Sequence, residues 1–92
     1  MKQMREMLIG SSAASTEERK VITCEYSILI REFEGEALGE SYGIRITLLE
    51  EGVTTEVPDI TPSAARIQAL AELLHRNLVT PCTLREVLED WL

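Results

Sequence analysis

The chain has 92 residues, of which 45% are hydrophobic, and a formal net charge of −7 from 16 acidic and 9 basic residues. This length suits one domain with a modest core, and the apolar fraction is that of a folded rather than a disordered protein. The lysines and arginines are scattered, with Arg19-Lys20 as the only adjacent pair, so we expect neither nucleic-acid binding nor docking on an anionic membrane. We therefore treat residues 1–92 as a single small domain.

Three features of the sequence predict a cytoplasmic protein. Cys24 and Cys82 lie far apart without metal-ligand spacing, which is typical of two reduced thiols. An export signal needs a basic start and then at least seven apolar residues, but Met7-Leu8-Ile9 is a short run. The longest apolar stretch is too short to span a membrane.

Residues 1–16 form a peripheral segment whose structure the pattern leaves open. Met4, Met7 and Leu8 have helical spacing, whereas Met7 and Ile9 alternate as in a short strand from Arg5 to Gly10. The small polar residues 11–18 that follow predict a loop.

Alternating apolar residues predict three strands near 20–33, 41–50 and 53–58. Pro58 cannot donate a ladder hydrogen bond, so it should end the third strand or lie on an edge. The even-numbered face of the first two strands is apolar and should face the core: Ile22, Tyr26, Ile28, Ile30, Ile44, Ile46 and Leu48.

Two helices are predicted near 62–77 and 83–91. Thr61 is a suitable N-cap before Pro62, and Asn77 suits the left-handed position after the first helix. A capping box, Thr83-Leu84-Arg85-Glu86, opens the second helix. The apolar stripes comprise Ala64, Ile67, Leu70, Ala71, Leu74 and Leu78, and then Leu84, Val87, Leu88 and Trp91.

The predicted fold class is α+β, an antiparallel β-meander of three strands with two C-terminal helices packed on one face. The segment Arg5 to Gly10 would add a fourth strand. The uncovered, odd-numbered face should be largely polar, with Val21, Leu29, Phe33 and Leu49 as its apolar residues. That face, or a strand edge, would support a homodimer, unless residues 1–16 fold back over it.

The sequence predicts no catalytic, cofactor-binding or metal-binding residue. His75, the only histidine, lies where a histidine caps helix carbonyls, and two cysteines with one histidine do not make a zinc site. Glu25 lies between apolar residues of the first long strand, as an outward-facing acid would. Glu32, Glu34, Glu36 and Glu40 crowd a loop and strand ends, as solvated charges do.

The second half of the chain carries three distinctive strings: Tyr42-Gly43-Ile44, Asp59-Ile60-Thr61 and Val79-x-Pro81-x-x-Leu84-x-x-Val87-x-Glu89-Asp90-Trp91-Leu92. Through these, residues 20–92 resemble a small bacterial family of domains of unknown function. The resemblance implies a short cytosolic protein of this same layout and brings no activity, ligand or site residue.

These observations favour a non-enzymatic protein-interaction or regulatory module that binds another protein or itself. The alternative is a small-molecule-binding or catalytic domain whose site forms at an oligomer interface. An interface site should show a pocket with convergent polar groups and a perturbed carboxylate or His75, whereas a pure binding module should show only an apolar patch.

Overall fold

A computed structural model describes residues 3–33 and 39–91, with the side chains of 5–32 and 39–91. Four strands, β1 (Gln3–Ser15), β2 (Val21–Phe33), β3 (Gly39–Leu48) and β4 (Val53–Thr61), form one sheet in the order β1-β2-β3-β4. Helix α1 (Ala64–Arg76), a 3₁₀ turn (Pro81–Thr83) and helix α2 (Leu84–Trp91) follow. All neighbouring strands are antiparallel, which confirms the predicted α+β meander with two helices packed on it.

The helices cover the even-numbered face of β2 and β3. Tyr26 pairs with Ile46 and Ile28 with Ile44, and all four side chains are buried. The apolar stripe of α1 packs on them, as predicted, through Ile67, Leu70, Ala71 and Leu74, and Leu84 and Leu88 of α2 complete the core. Val87 and Trp91 are only partly buried against it.

The N-terminal strand is longer than the sequence predicted. Residues 11–15, expected in a loop, continue β1 to Ser15, and the chain then turns through residues 16–20, with Arg19 at a φ of 63°. Leu8 pairs with Ser27 but Gly10 pairs with Tyr26, so Ile9 is an extra residue in a β-bulge. The small residues 10–15 form a strand because residues 21–26 of β2 pair with them along their whole length. Their side chains lack the alternation of apolar and polar residues that predicts a strand.

The last strand passes Pro58 and ends at Thr61, so the predicted end at residue 58 is wrong, whereas the alternative, that Pro58 lies on an edge strand, is correct. A second bulge makes this extension compatible with proline, because Ile44 pairs with Val57 whereas Tyr42 pairs with Thr61. Asp59 within the bulge has a φ of 56°. Gly43 faces this bulge, and a Cβ there would meet the Val57 carbonyl and lie 2.5 Å from Pro58 Cα.

The helix caps are displaced along the chain from their predicted positions, by one or two residues for α1 and by one turn for α2. Ser63, not Thr61, caps α1, and its hydroxyl accepts a hydrogen bond from Arg66 N at 3.2 Å. The left-handed residue after α1 is Leu78, with a φ of 50°, whereas Asn77 has a φ of −95°. The capping box forms at Thr80 and Thr83, one turn before the predicted one, because a 3₁₀ turn precedes α2.

Candidate interaction surface

The C-terminal end of α1 rests on the edge of β1. His75 Nε2 lies 3.0 Å from the Ser11 carbonyl, and because a carbonyl only accepts, the ring donates. Ser12 Oγ lies 3.4 Å from the His75 carbonyl, and a Cβ at Gly10 would approach His75 Cε1 to 2.9 Å. The small residues 10–12 thus form a seat for the helix end, and His75 holds a structural contact there.

Tyr26 connects this region to the core. Its hydroxyl donates to the Val79 carbonyl at 2.9 Å, and its ring centroid lies 5.3 Å from that of His75. Desolvation by burial raises the pKa of Tyr26 and the pKa of the neighbouring Cys24 thiol. Both groups are therefore neutral near pH 7. The hydrogen bond from Tyr26 to Val79 joins β2 to the segment between the two helices.

The register shows which backbone groups of β1 point away from the sheet. Thr23 directs its N–H to Glu50 Oε1 at 2.6 Å and its carbonyl to Leu49 N at 2.9 Å, so both groups face β3. Ala13 lies opposite Thr23, and its N–H and C=O must therefore point outward. By the same alternation the backbone N–H and C=O groups of Ser11 and Ser15 point outward, and the outward Ser11 carbonyl accepts the hydrogen bond from His75. We call Ser11, Ala13 and Ser15 the β1 edge.

The two edge strands of the sheet differ in their protection against pairing. On β4, Pro58 and the bulge at Asp59 interrupt the edge. On β1, the charges of Arg5 and Glu6 and the bulge at Ile9 all lie in the N-terminal half. Residues 11–15 are uncharged and contain neither proline nor lysine, so beyond the His75 contact at Ser11 this half of the strand is the more open to another strand.

The face opposite the helices carries ion pairs across the strands. Arg45 Nη1 lies 2.8 Å from Glu6 Oε2 and Arg45 Nε 3.3 Å from Glu56 Oε1, although the second contact lacks hydrogen-bond geometry. Arg31 pairs with Asp59 at 3.1 Å. These long side chains lie on the same face as Ser27 and Leu29, which are buried.

The predicted apolar patch on this face is therefore discontinuous. Leu29 is 4% exposed and cannot serve as a contact residue, whereas Val21 and Leu49 are 56% and 46% exposed at one end of the sheet. The side chain of Phe33 lies outside the described residues. Residues 3–15 pair beside β2, so they do not fold over this face.

The acidic residues singled out in the sequence do not converge. Glu25 is half-buried on the helix-free face, opposite Ser11 and Thr47. Glu32 and Glu40 lie on the other face and share Arg5, while Glu34 and Glu36 fall outside the described residues. Within residues 3–33 and 39–91, no group of three His, Cys, Asp or Glu side chains is placed to hold a metal ion.

Two surface clefts bear on the alternative function, a small-molecule-binding or catalytic site. One, of about 200 Å³, lies between β4 and α2 and is lined by Val57, Arg85, Leu88 and Glu89. The other, of about 470 Å³, lies at the turn between β1 and β2 and is lined by Thr16, Glu17, Glu18, Lys20, Ile22 and Glu51. Both are shallow and open, and neither includes His75 or Glu25.

Glu50 accepts two hydrogen bonds from a single neighbouring residue, Thr23. Its carboxylate accepts hydrogen bonds from the Thr23 amide at 2.6 Å and the Thr23 hydroxyl at 2.7 Å, and these bonds lower its pKa. This contact fixes the turn between β3 and β4 against the start of β2.

Neither α1 nor α2 is long and apolar enough to cross a membrane. No curated protein and no solved structure matches the chain. The model of a family of unknown function, DUF6514, matches residues 5–92, and the match includes most of β1, which the sequence resemblance over 20–92 left out. Because this match covers nearly the whole chain, the protein belongs to the DUF6514 family.

Proposed function

We propose that this protein is a non-enzymatic cytoplasmic interaction module that binds a β-strand of another protein, or of a second copy, along the β1 edge. Strand addition to an exposed sheet edge is a common mode of peptide recognition, in which backbone hydrogen bonds supply much of the affinity. The outward N–H and C=O groups of Ala13 are the observation that carries the proposal.

The local chemistry of the strand supports this mode of binding. Residues 11–15 have small, uncharged side chains, so an added strand meets neither bulk nor like charge. His75 and Ser12 anchor the same stretch to α1, which holds the edge in an extended shape before a partner arrives. A preformed edge reduces the ordering cost of binding.

Affinity capture from the native cell, quantified by mass spectrometry, tests the proposal with three baits. Ala13→Pro removes an outward amide while leaving the β1–β2 ladder intact, because Ala13 donates nothing to β2. Leu49→Glu is the matched control, since it changes an exposed side chain of the helix-free face that lies two strands away from this edge.

We expect proteins that are retained by the wild type and by Leu49→Glu but lost with Ala13→Pro. An endogenous copy of this chain counts among them. Identical retention by the wild type and Ala13→Pro would contradict the proposal. Loss with Leu49→Glu alone would transfer the binding site to the helix-free face and would contradict it as well.

A further inference from the structure

We infer that the strand added to the β1 edge is that of a second copy, paired antiparallel about Ala13 to form one continuous eight-stranded sheet. The inference rests on the proposed function and names its partner. A two-fold axis perpendicular to the sheet produces this arrangement and leaves the helices of both copies on the same side.

The register follows from the outward backbone groups. Centring the pair on Ala13 places Ser11 opposite the partner's Ser15 and Ala13 opposite the partner's Ala13. All three residues of the β1 edge are then used, and each facing pair exchanges two hydrogen bonds. The Ser11 carbonyl, which already accepts from His75 Nε2, accepts the partner's Ser15 amide through its second lone pair. A centre at Ser12 or Ala14 would use only two of the three.

Charge argues against pairing centred on Arg5 or Glu6 in the N-terminal half of β1. A centre at Arg5 would place Arg5 opposite the partner's Arg5, and a centre at Glu6 would oppose two carboxylates, since a two-fold axis pairs the central residue with itself. Like charges directly opposite are destabilising. The bulge at Ile9 interrupts the ladder between the two halves.

The ends of the proposed interface have complementary charges. In the register centred on Ala13, the turn that follows the partner's β1 brings the partner's Glu17 near Ile9, close to the seat that residues 10–12 form for α1. The last turn of α1 at that seat is basic, with His75 and the exposed Arg76. The turn as a whole has no net charge, since Arg19 and Lys20 follow Glu17 and Glu18, but its first acid, Glu17, approaches the basic helix end of the other copy, which favours this orientation.

Small side chains make the close approach feasible. On the helix-covered face Ser12 lies opposite the partner's Ala14, and on the helix-free face Ala13 lies opposite the partner's Ala13. The strands can therefore pair about Ala13 at the ordinary spacing of about 4.8 Å.

Size-exclusion chromatography with light scattering over a concentration series tests the inference. The wild type should reach a mass of about 20.6 kDa, twice 10.3 kDa. Ala13→Pro should remain at 10.3 kDa throughout. A wild type that stays monomeric at hundreds of micromolar would overturn the inference, whereas the proposed function would survive if capture still depended on Ala13.

A charge exchange keeps the test decisive if Ala13→Pro folds poorly. Arg76→Glu and Glu17→Lys should each weaken the dimer roughly threefold to tenfold, and the double variant should restore it. Unchanged dimerisation in both single variants, or no restoration in the double variant, would refute the proposed register.

Discussion

The hydroxyl of Tyr26 donates to the carbonyl of Val79 at 2.9 Å inside the core, joining the second strand to the residues between the two helices. Tyr26 has no solvent exposure and Val79 is 9% exposed, so water cannot replace either partner readily. The contact also places the tyrosine ring beside His75, and His75 Nε2 in turn donates to the Ser11 carbonyl. One chain of contacts therefore runs from the core to the β1 edge.

Tyr26→Phe should lower the free energy of unfolding by about 1–3 kcal/mol, because it leaves the buried Val79 carbonyl without a donor. Urea denaturation at pH 7 measures the change. The matched control is Tyr42→Phe, which loses a hydroxyl contact with Glu40 at the surface and should cost less than about 0.5 kcal/mol. Equal losses in the two variants would contradict the structural importance given to the Val79 contact.

Gly43→Ala should destabilise the protein by about 1–3 kcal/mol or more, because the added methyl would meet backbone atoms of Val57 and Pro58 that cannot move independently. Gly39→Ala in the same strand is the control, since among the described residues, its chain neighbours apart, no atom lies within 4 Å of its Cβ position, and its cost should be within about 0.5 kcal/mol. Thermal denaturation of both variants compares them. A stable Gly43→Ala variant would show that the bulge at Pro58 and Asp59 is wrongly placed.

Trp91→Ala should cost about 2–4 kcal/mol, somewhat below the roughly 3–5 kcal/mol of a fully buried aromatic. The ring packs partly against the core, and the Arg66 guanidinium lies 4.6 Å from its centroid. Arg66→Ala should lose only about 0.5–1 kcal/mol, which separates the cation–π contact from the packing. An unchanged melting temperature in Trp91→Ala would indicate a side chain that contributes to binding rather than to the core.

Acid should weaken the protein partly through Glu50. Hydrogen bonds from Thr23 lower its folded-state pKa below the ordinary 4.5, so its contribution to stability is present above that value and is lost as the pH falls through the folded pKa. The melting temperature of Glu50→Gln should therefore decline less between pH 6 and pH 3 than that of the wild type. Glu51→Gln, a change at the exposed neighbouring residue, should follow the wild-type curve. Parallel curves for all three proteins would count against this contact.

The sequence predicts those parts of the fold whose side chains alternate. Ile28, Ile44 and Ile46 point to one face of two strands, and Ile67 and Leu74 mark the helix that covers them, so the core residues follow from periodicity alone. The same reasoning placed Leu29 on the opposite face correctly. It did not foresee the burial of Leu29, because that depends on neighbouring long side chains reaching across strands.

The candidate site could not be predicted in the same way. Residues 11–15 are small and uncharged, so their side chains carry no strand signal, and their extended structure comes from pairing with β2. Which of their amides point outward depends on the bulge at Ile9 and on the register with Thr23. Both are properties of the assembled sheet. The strand extension beyond Pro58 does not follow from the sequence for a similar reason, since a bulge removes the constraint that proline imposes.

Residue-resolved hydrogen exchange by NMR tests the central claim, that the β1 edge is the binding surface, most directly. The amides of Ser12 and Ala14 point into the sheet and should be protected at every protein concentration. The amides of Ala13 and Ser15 should exchange rapidly in dilute solution and become protected as the concentration rises and a second strand pairs with them. Rapid exchange of Ala13 at concentrations where the protein has already associated would contradict the claim.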